Sequence, residues 1–115
     1  MTKFYTYNQN NSGGHFEHKP DNGIGKYVII EADSAKEAND KAEEIGLYFD
    51  GCESGRDCDC CGDRWYSKDD DSEGYTVPSI YGQPVAKRFK EEWEIGSYIH
   101  YKDGTIKRIK EINNA

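Results

Sequence analysis

Apolar positions along this chain first alternate, then run together, then recur every three or four residues, and each rhythm predicts a different element. Over residues 3–9 (KFYTYNQ), Phe4, Thr6 and Asn8 share one face and Tyr5 and Tyr7 the other, which is the period of a strand. Asn10-Asn11-Ser12-Gly13-Gly14 ends it with turn chemistry, and a loop punctuated by Pro20 and Asp21-Asn22-Gly23 continues to Gly25. Residues 26–32 (KYVIIEA) predict a second strand. The unbroken Val28-Ile29-Ile30 requires burial on both of its faces, so this strand belongs in the centre of a sheet.

A helix follows. Ser34-Ala35-Lys36-Glu37 has the form of a capping box, in which the serine and the glutamate each satisfy a main-chain N–H left over at a helix start. Ala35, Ala38, Ala42 and Ile45 make a narrow apolar stripe whose small side chains let the helix lie close to a sheet. Gly46 stands where a left-handed residue ends such a helix. Leu47-Tyr48-Phe49 then carries the chain into a polar stretch, closed on the far side by Trp65 and Tyr66. Residues 68–74 read as a surface loop; DDDSEG lacks the spacing of a calcium-binding EF-hand loop.

Residues 75–81 (YTVPSIY) predict a short strand that Pro78 restricts to an edge. Val85, Phe89 and Trp93 recur at helical spacing. Asp103-Gly104, between YIHYK and TIKRI, predicts a hairpin with a type I′ turn. The expected fold is a single α+β domain over residues 1–115: a small antiparallel or mixed sheet covered by one main helix, with a cysteine-rich metal-binding loop.

That loop carries the most specific chemistry. All four cysteines, Cys52, Cys58, Cys60 and Cys61, fall in residues 50–66, DGCESGRDCDCCGDRWY. Four thiolates can enclose one Zn²⁺ tetrahedrally, with Trp65 and Tyr66 as a shield from water, and a small protein can use such a site in place of core. The spacing C-x5-C-x-C-C is not that of paired C-x2-C knuckles, and His15 and His18, spaced H-x2-H, are alternative ligands for one or two positions. Paired disulfides would suit an oxidising compartment, but the N-terminal residues have no apolar signal core. A catalytic thiol would sit among Asp57, Asp59 and Asp63, which disfavour a thiolate and outweigh Arg56 and Arg64.

Charge changes the picture further. The chain has 115 residues, 35% hydrophobic, with nine tyrosines and a net charge of −7. Fifteen acidic side chains face five basic ones in residues 31–73, a local net of −10, whereas the residues from Lys87 onward carry seven basic and five acidic side chains. Such a field repels nucleic acid and attracts basic protein surfaces. Glu37, Asp40, Glu43 and Glu44 off the alanine stripe, with Asp57, Asp59 and Asp63 in the loop, are the candidate partner-binding residues. The basic positions Lys102, Lys107, Arg108 and Lys110 read as protection of an edge strand. No apolar run approaches the ~20 residues of a membrane span, and a cytoplasmic protein is expected. No P-loop, GxGxxG, GxSxG or HExxH occurs, and the zinc-deaminase signature is matched only at His15-Phe16-Glu17.

YTYNQNNSGG, KYVIIEA with the capped helix after it, and GLYFDGCESGRDCDCCGDRWY together resemble a family of small bacteriophage-encoded proteins of mostly unassigned function. The resemblance spans residues 4–84, is most specific in the cysteine block and leaves the C-terminal hairpin uncovered. Zinc-containing phage products of this size include anti-CRISPR proteins. The resemblance therefore implies a non-enzymatic inhibitor that binds a type II CRISPR effector nuclease in the host cytoplasm, with the four cysteines as structural zinc ligands. The contrasting expectation is a phage enzyme or a sequestrant of a nucleotide ligand, which an open metal site with His15 or His18 would favour. No feature specifies an oligomeric state.

Overall fold

The computed structural model of the protein describes residues 2–10, 16–57, 62–81, 83–85 and 96–109. Strand β1 (Lys3–Asn8) is followed by a 3₁₀ turn at Pro20–Asn22, strand β2 (Tyr27–Ala32), helix α1 (Ala35–Ile45) and a single helical turn, α2 (Gly51–Ser54). Short strands β3 (Ser79–Ile80) and β4 (Gln83–Pro84) pair with each other, and β5 (Ser97–His100) and β6 (Ile106–Ile109) complete the regular structure of the described residues. The main sheet has the order β1-β2-β5-β6. β2 runs antiparallel to β1 and parallel to β5, so the sheet is mixed and the fold is α+β.

β2 is the central strand that its apolar run requires. Val28, Ile30 and Ala32 point to the side covered by α1, where they meet Tyr5 and Tyr7 of β1 and the alanine stripe Ala35, Ala38 and Ala42. Ile29 points the other way and joins Phe4, Ile80, Val85, Ile99 and Ile109. Both faces are therefore dry at the centre, and each fully buried aliphatic side chain there contributes on the order of 1.5–3 kcal/mol. Tyr5 and Tyr7 fall on the helix side and Phe4 on the other, the alternation that the sequence predicts for β1.

Helix α1 begins and ends where its signals stand. The Ser34 hydroxyl accepts the Glu37 N–H at 3.1 Å. Glu37 Oε1 accepts a main-chain N–H in return at 3.2 Å, but that of Asp33 rather than Ser34, so the box closes one residue further back. Gly46 (φ +120°) ends the helix, and Leu47 donates to the Ala42 carbonyl at 2.9 Å before burying its side chain in the core.

Two expectations need correction. The β5–β6 hairpin forms, but Gly104 (φ +95°) takes the positive φ while Asp103 does not, which excludes a type I′ turn. Tyr101 N–H reaches the Thr105 carbonyl at 2.8 Å and Gly104 N–H the Tyr101 carbonyl at 3.0 Å, a three-residue loop with its left-handed residue last. Asp103 Oδ1 accepts the Thr105 N–H at 2.9 Å, which holds the aspartate outside the left-handed region. The strand expected over residues 75–81 shrinks to Ser79–Ile80, with only Tyr75 bridged to Phe4 before it. The helical turn expected from Val85 to Trp93 lies outside the described residues beyond Val85.

Candidate functional site

The cysteine loop starts from the end of α1. Leu47 and Tyr48 are buried, Asp50 turns the chain with φ +57°, and Gly55 (φ +84°) ends the one-turn α2. Both Arg56 and Asp57 then donate main-chain N–H groups back to the Gly51 carbonyl, at 2.8 and 3.0 Å. This folds the chain tightly onto Gly51. A Cβ at that position would lie 1.8 Å from Asp57 Oδ2, so only glycine allows the approach.

Asp57 is the centre of a buried polar cluster. Its side chain is wholly buried; Oδ1 accepts the Tyr48 hydroxyl at 2.7 Å and Oδ2 accepts the Arg64 N–H at 2.8 Å. The Arg64 guanidinium is also buried. It donates from Nε to the Tyr48 oxygen at 3.1 Å and from Nη1 to Gln9 Oε1 at 3.0 Å, and pairs with Glu17 at 3.5 Å. Gln9 is tied in turn to the Gly25 carbonyl at 2.8 Å. Burial and the bond to Asp57 push the Tyr48 hydroxyl up to about 12, and the Arg56 guanidinium stacks 3.7 Å from the Tyr48 ring centroid. A buried pair is expensive to desolvate, so every member needs the partners it has here.

A second clasp joins Cys52 to Asp63. Asp63 Oδ1 accepts the Cys52 N–H at 2.9 Å, and Asn10 Nδ2 donates to the Asp63 carbonyl at 3.1 Å. The two ends of residues 51–64 are thus held together by Gln9 and Asn10, just after β1, and by Tyr48, just after α1. Of the four cysteines, Cys52 is half-buried at this clasp; Cys58, Cys60 and Cys61 lie outside the described residues, as do Asp59 and His15. Among the described residues no three histidine, cysteine or carboxylate side chains gather as a metal site would need. His18 Nε2 is hydrogen-bonded to the Tyr98 hydroxyl at 2.9 Å. Trp65 packs in the helix-side core, whereas Tyr66 is 58% exposed.

The acidic positions divide. Glu37, Asp40, Glu43 and Glu44 are all exposed on α1. Glu37 meets Lys102 at 3.1 Å and Asp40 meets Lys36 at 2.9 Å, while Lys102 also pairs with Asp33. Glu43 and Glu44 have no ion pair among the described residues. A shallow groove of about 340 Å³ runs between Glu31, Asp40, Glu44 and Lys102. Asp57 contradicts the surface role expected of it: the carboxylate is internal because Arg64, Tyr48 and the turn at Gly51 converge on it. Asp63 is half-buried, with one oxygen committed to Cys52. No sequence pattern announces the Asp57–Arg64–Tyr48–Gln9 cluster, whose members come from three separate segments.

The described residues thus define a small α+β domain in which a buried ion pair closes the neck of a cysteine-bearing loop. The chain belongs to the family described as Domain of unknown function (DUF7296), which it matches over residues 2–115. No curated protein and no solved structure matches it. No helix among the described residues is long and apolar enough to cross a membrane.

Proposed function

We propose that this protein is a non-enzymatic, phage-encoded inhibitor that docks the acidic face of α1 on the basic channel of a nucleic-acid enzyme, a type II CRISPR effector nuclease being the partner class. The observation that carries this reading is the placement of Glu37, Asp40, Glu43 and Glu44 together on the exposed side of one rigid, capped helix. A channel that holds a guide heteroduplex is positively charged, and a fixed row of carboxylates competes there for the sites of phosphates. The ion pairs of Glu37 and Asp40 are exposed and therefore worth little, so both carboxylates can exchange Lys102 and Lys36 for a partner's cations. A helix presents such a row with less ordering cost than a loop.

The same reading gives the cysteine loop a structural zinc bound by Cys52, Cys58, Cys60 and Cys61. Its support is the neck: because the Asp57–Arg64 pair and the Asp63–Cys52 clasp hold both ends, less chain entropy opposes metal capture. The donor set is suited to zinc, and four thiolates leave no open position for a reacting water. The test of the function is a guide-loaded nuclease assay with Glu43→Lys/Glu44→Lys. The parent protein should block target-DNA binding, less so as salt rises, and the variant should lose that block while unfolding as the parent does. Unimpaired cleavage with the parent in excess, across several type II effectors, refutes the proposal.

A further inference from the structure

The outer edge of β1 contains a gap. Phe4 exchanges both main-chain hydrogen bonds with Tyr75, at 2.7 and 2.8 Å, and Asn10 donates to the Arg64 carbonyl at 2.9 Å. Gln9, one residue out of phase, donates instead to Lys26 on the β2 side at 2.8 Å. The even-numbered residues of β1 therefore turn their main-chain groups away from β2. Between the two pins the N–H and C=O of Thr6 and Asn8 face that edge with no main-chain partner among the described residues. Asn8 is exposed, while Thr6 is buried with its hydroxyl donating to the Ser79 carbonyl and is reached through the cleft beside it. The cause is a difference in length: six positions separate Phe4 from Asn10, but eleven separate Arg64 from Tyr75. The longer segment leaves the edge, drawn toward α1 by Asn39, whose side-chain amide accepts the Lys68 N–H at 2.9 Å and donates to the Lys68 carbonyl at 2.8 Å.

A cleft of about 360 Å³ opens at Thr6, walled by Tyr5 and Tyr75 and lined also by Lys68 and Glu73. Lys68 is half-buried, with its ammonium 5.3 Å from the Tyr7 ring centroid and no carboxylate at ion-pair distance among the described residues. Desolvation by burial lowers its pKa, as it does for an ammonium that has lost water without gaining a counter-charge.

We propose that this gap binds a short extended peptide of about three residues, which adds to β1 as a strand and places a single carboxylate on Lys68. The occupant is a peptide because donor and acceptor groups recur two residues apart, at Thr6 and again at Asn8, which is the repeat of an extended chain. A nucleobase would match one such pair and leave the other unmet. The Lys68 charge selects an acid, and Glu73 on the same cleft opposes a second one. This site uses neither the acidic face of α1 nor the cysteine loop, so its failure would leave the inhibitor reading standing, and the converse holds.

The test is a titration of ¹⁵N-labelled full-length protein with acetyl-Val-Asp-Val-amide, followed by amide shifts and hydrogen exchange. Thr6 and Asn8 amides should shift and exchange at least about tenfold more slowly, while those of Phe4 and Asn10, already bonded, change little. Lys68→Met, which keeps the stem over Tyr7, should weaken binding about tenfold, and so should the peptide with lysine in place of aspartate. Shifts confined to other residues, or equal binding of the two peptides, overturn the proposal. Protein-concentration-dependent shifts at Thr6 and Asn8 without peptide would assign the edge to a second copy of the chain and also overturn it.

Discussion

Arg64 and Asp57 are joined twice, through the main-chain N–H of Arg64 to Asp57 Oδ2 at 2.8 Å and through its guanidinium, 3.8 Å from Asp57 Oδ1. Both side chains are buried, and removing Asp57 leaves the guanidinium only the partly exposed carboxylate of Glu17, at 3.5 Å. Asp57→Ala should destabilise the protein by about 3–5 kcal/mol. Gly51→Ala should cost about 1–3 kcal/mol, because its Cβ would overlap the same carboxylate. Urea unfolding checks both, against Glu43→Lys, a surface change expected within about 0.5 kcal/mol. An Asp57→Ala protein as stable as the parent would show that the cluster does not hold the neck.

The zinc reading makes a stoichiometric prediction. Purified protein should carry about one zinc per chain, and Cys52→Ser should lose it, since thiolate supplies the preferred donor. Elemental analysis after gel filtration measures this directly. Because the neck is closed by protein contacts, chelation should loosen residues 52–63 while leaving the sheet amides protected from exchange.

Acid should weaken the fold through His100. Its Nε2 lies 2.8 Å from the Gly23 carbonyl oxygen, so that nitrogen carries the proton and donates it. Burial holds the imidazole pKa below its usual value, against the opposing pull of the Gly23 bond, and Lys41 adds to the depression. The unfolded chain then binds the proton more readily than the folded one. Stability should be flat above about pH 7 and fall as pH drops through and below about 6.5, by at most about 1.4 kcal/mol per pH unit. Urea midpoints between pH 8 and pH 5 test the slope, and His100→Asn should remove its one-proton component.

The alanine stripe should tolerate no growth. Ala38 and Ala42 are wholly buried against β2, so Ala38→Leu should cost about 1–3 kcal/mol by overpacking. Ser34→Ala should cost about 1 kcal/mol by leaving the Glu37 N–H without its acceptor. Thermal unfolding resolves both, and a neutral result at Ala38 would place the stripe away from the sheet.

What the sequence determined by itself was local. Strand β1 follows from an alternation, the central position of β2 from three consecutive β-branched residues, and α1 from its cap, its stripe and Gly46, because each signal is complete within about a dozen residues. The hairpin was legible for the same reason, although its turn type was not: Asp103 is held by Thr105, and Gly104 takes the positive φ instead. Tertiary structure alone decided which acids are surface and which are core. Asp57 and Glu43 are both carboxylates in a strongly acidic stretch. One is internal because Tyr48 and Arg64 converge on it, with Gln9 bracing the Arg64 guanidinium from the segment after β1, and the other remains in water because it lies off the alanine stripe. The open edge at Thr6 and Asn8 is of the same kind. It depends on where the segment from Arg64 to Tyr75 leaves β1, and that path is fixed by Asn39 of α1, which holds the Lys68 main chain.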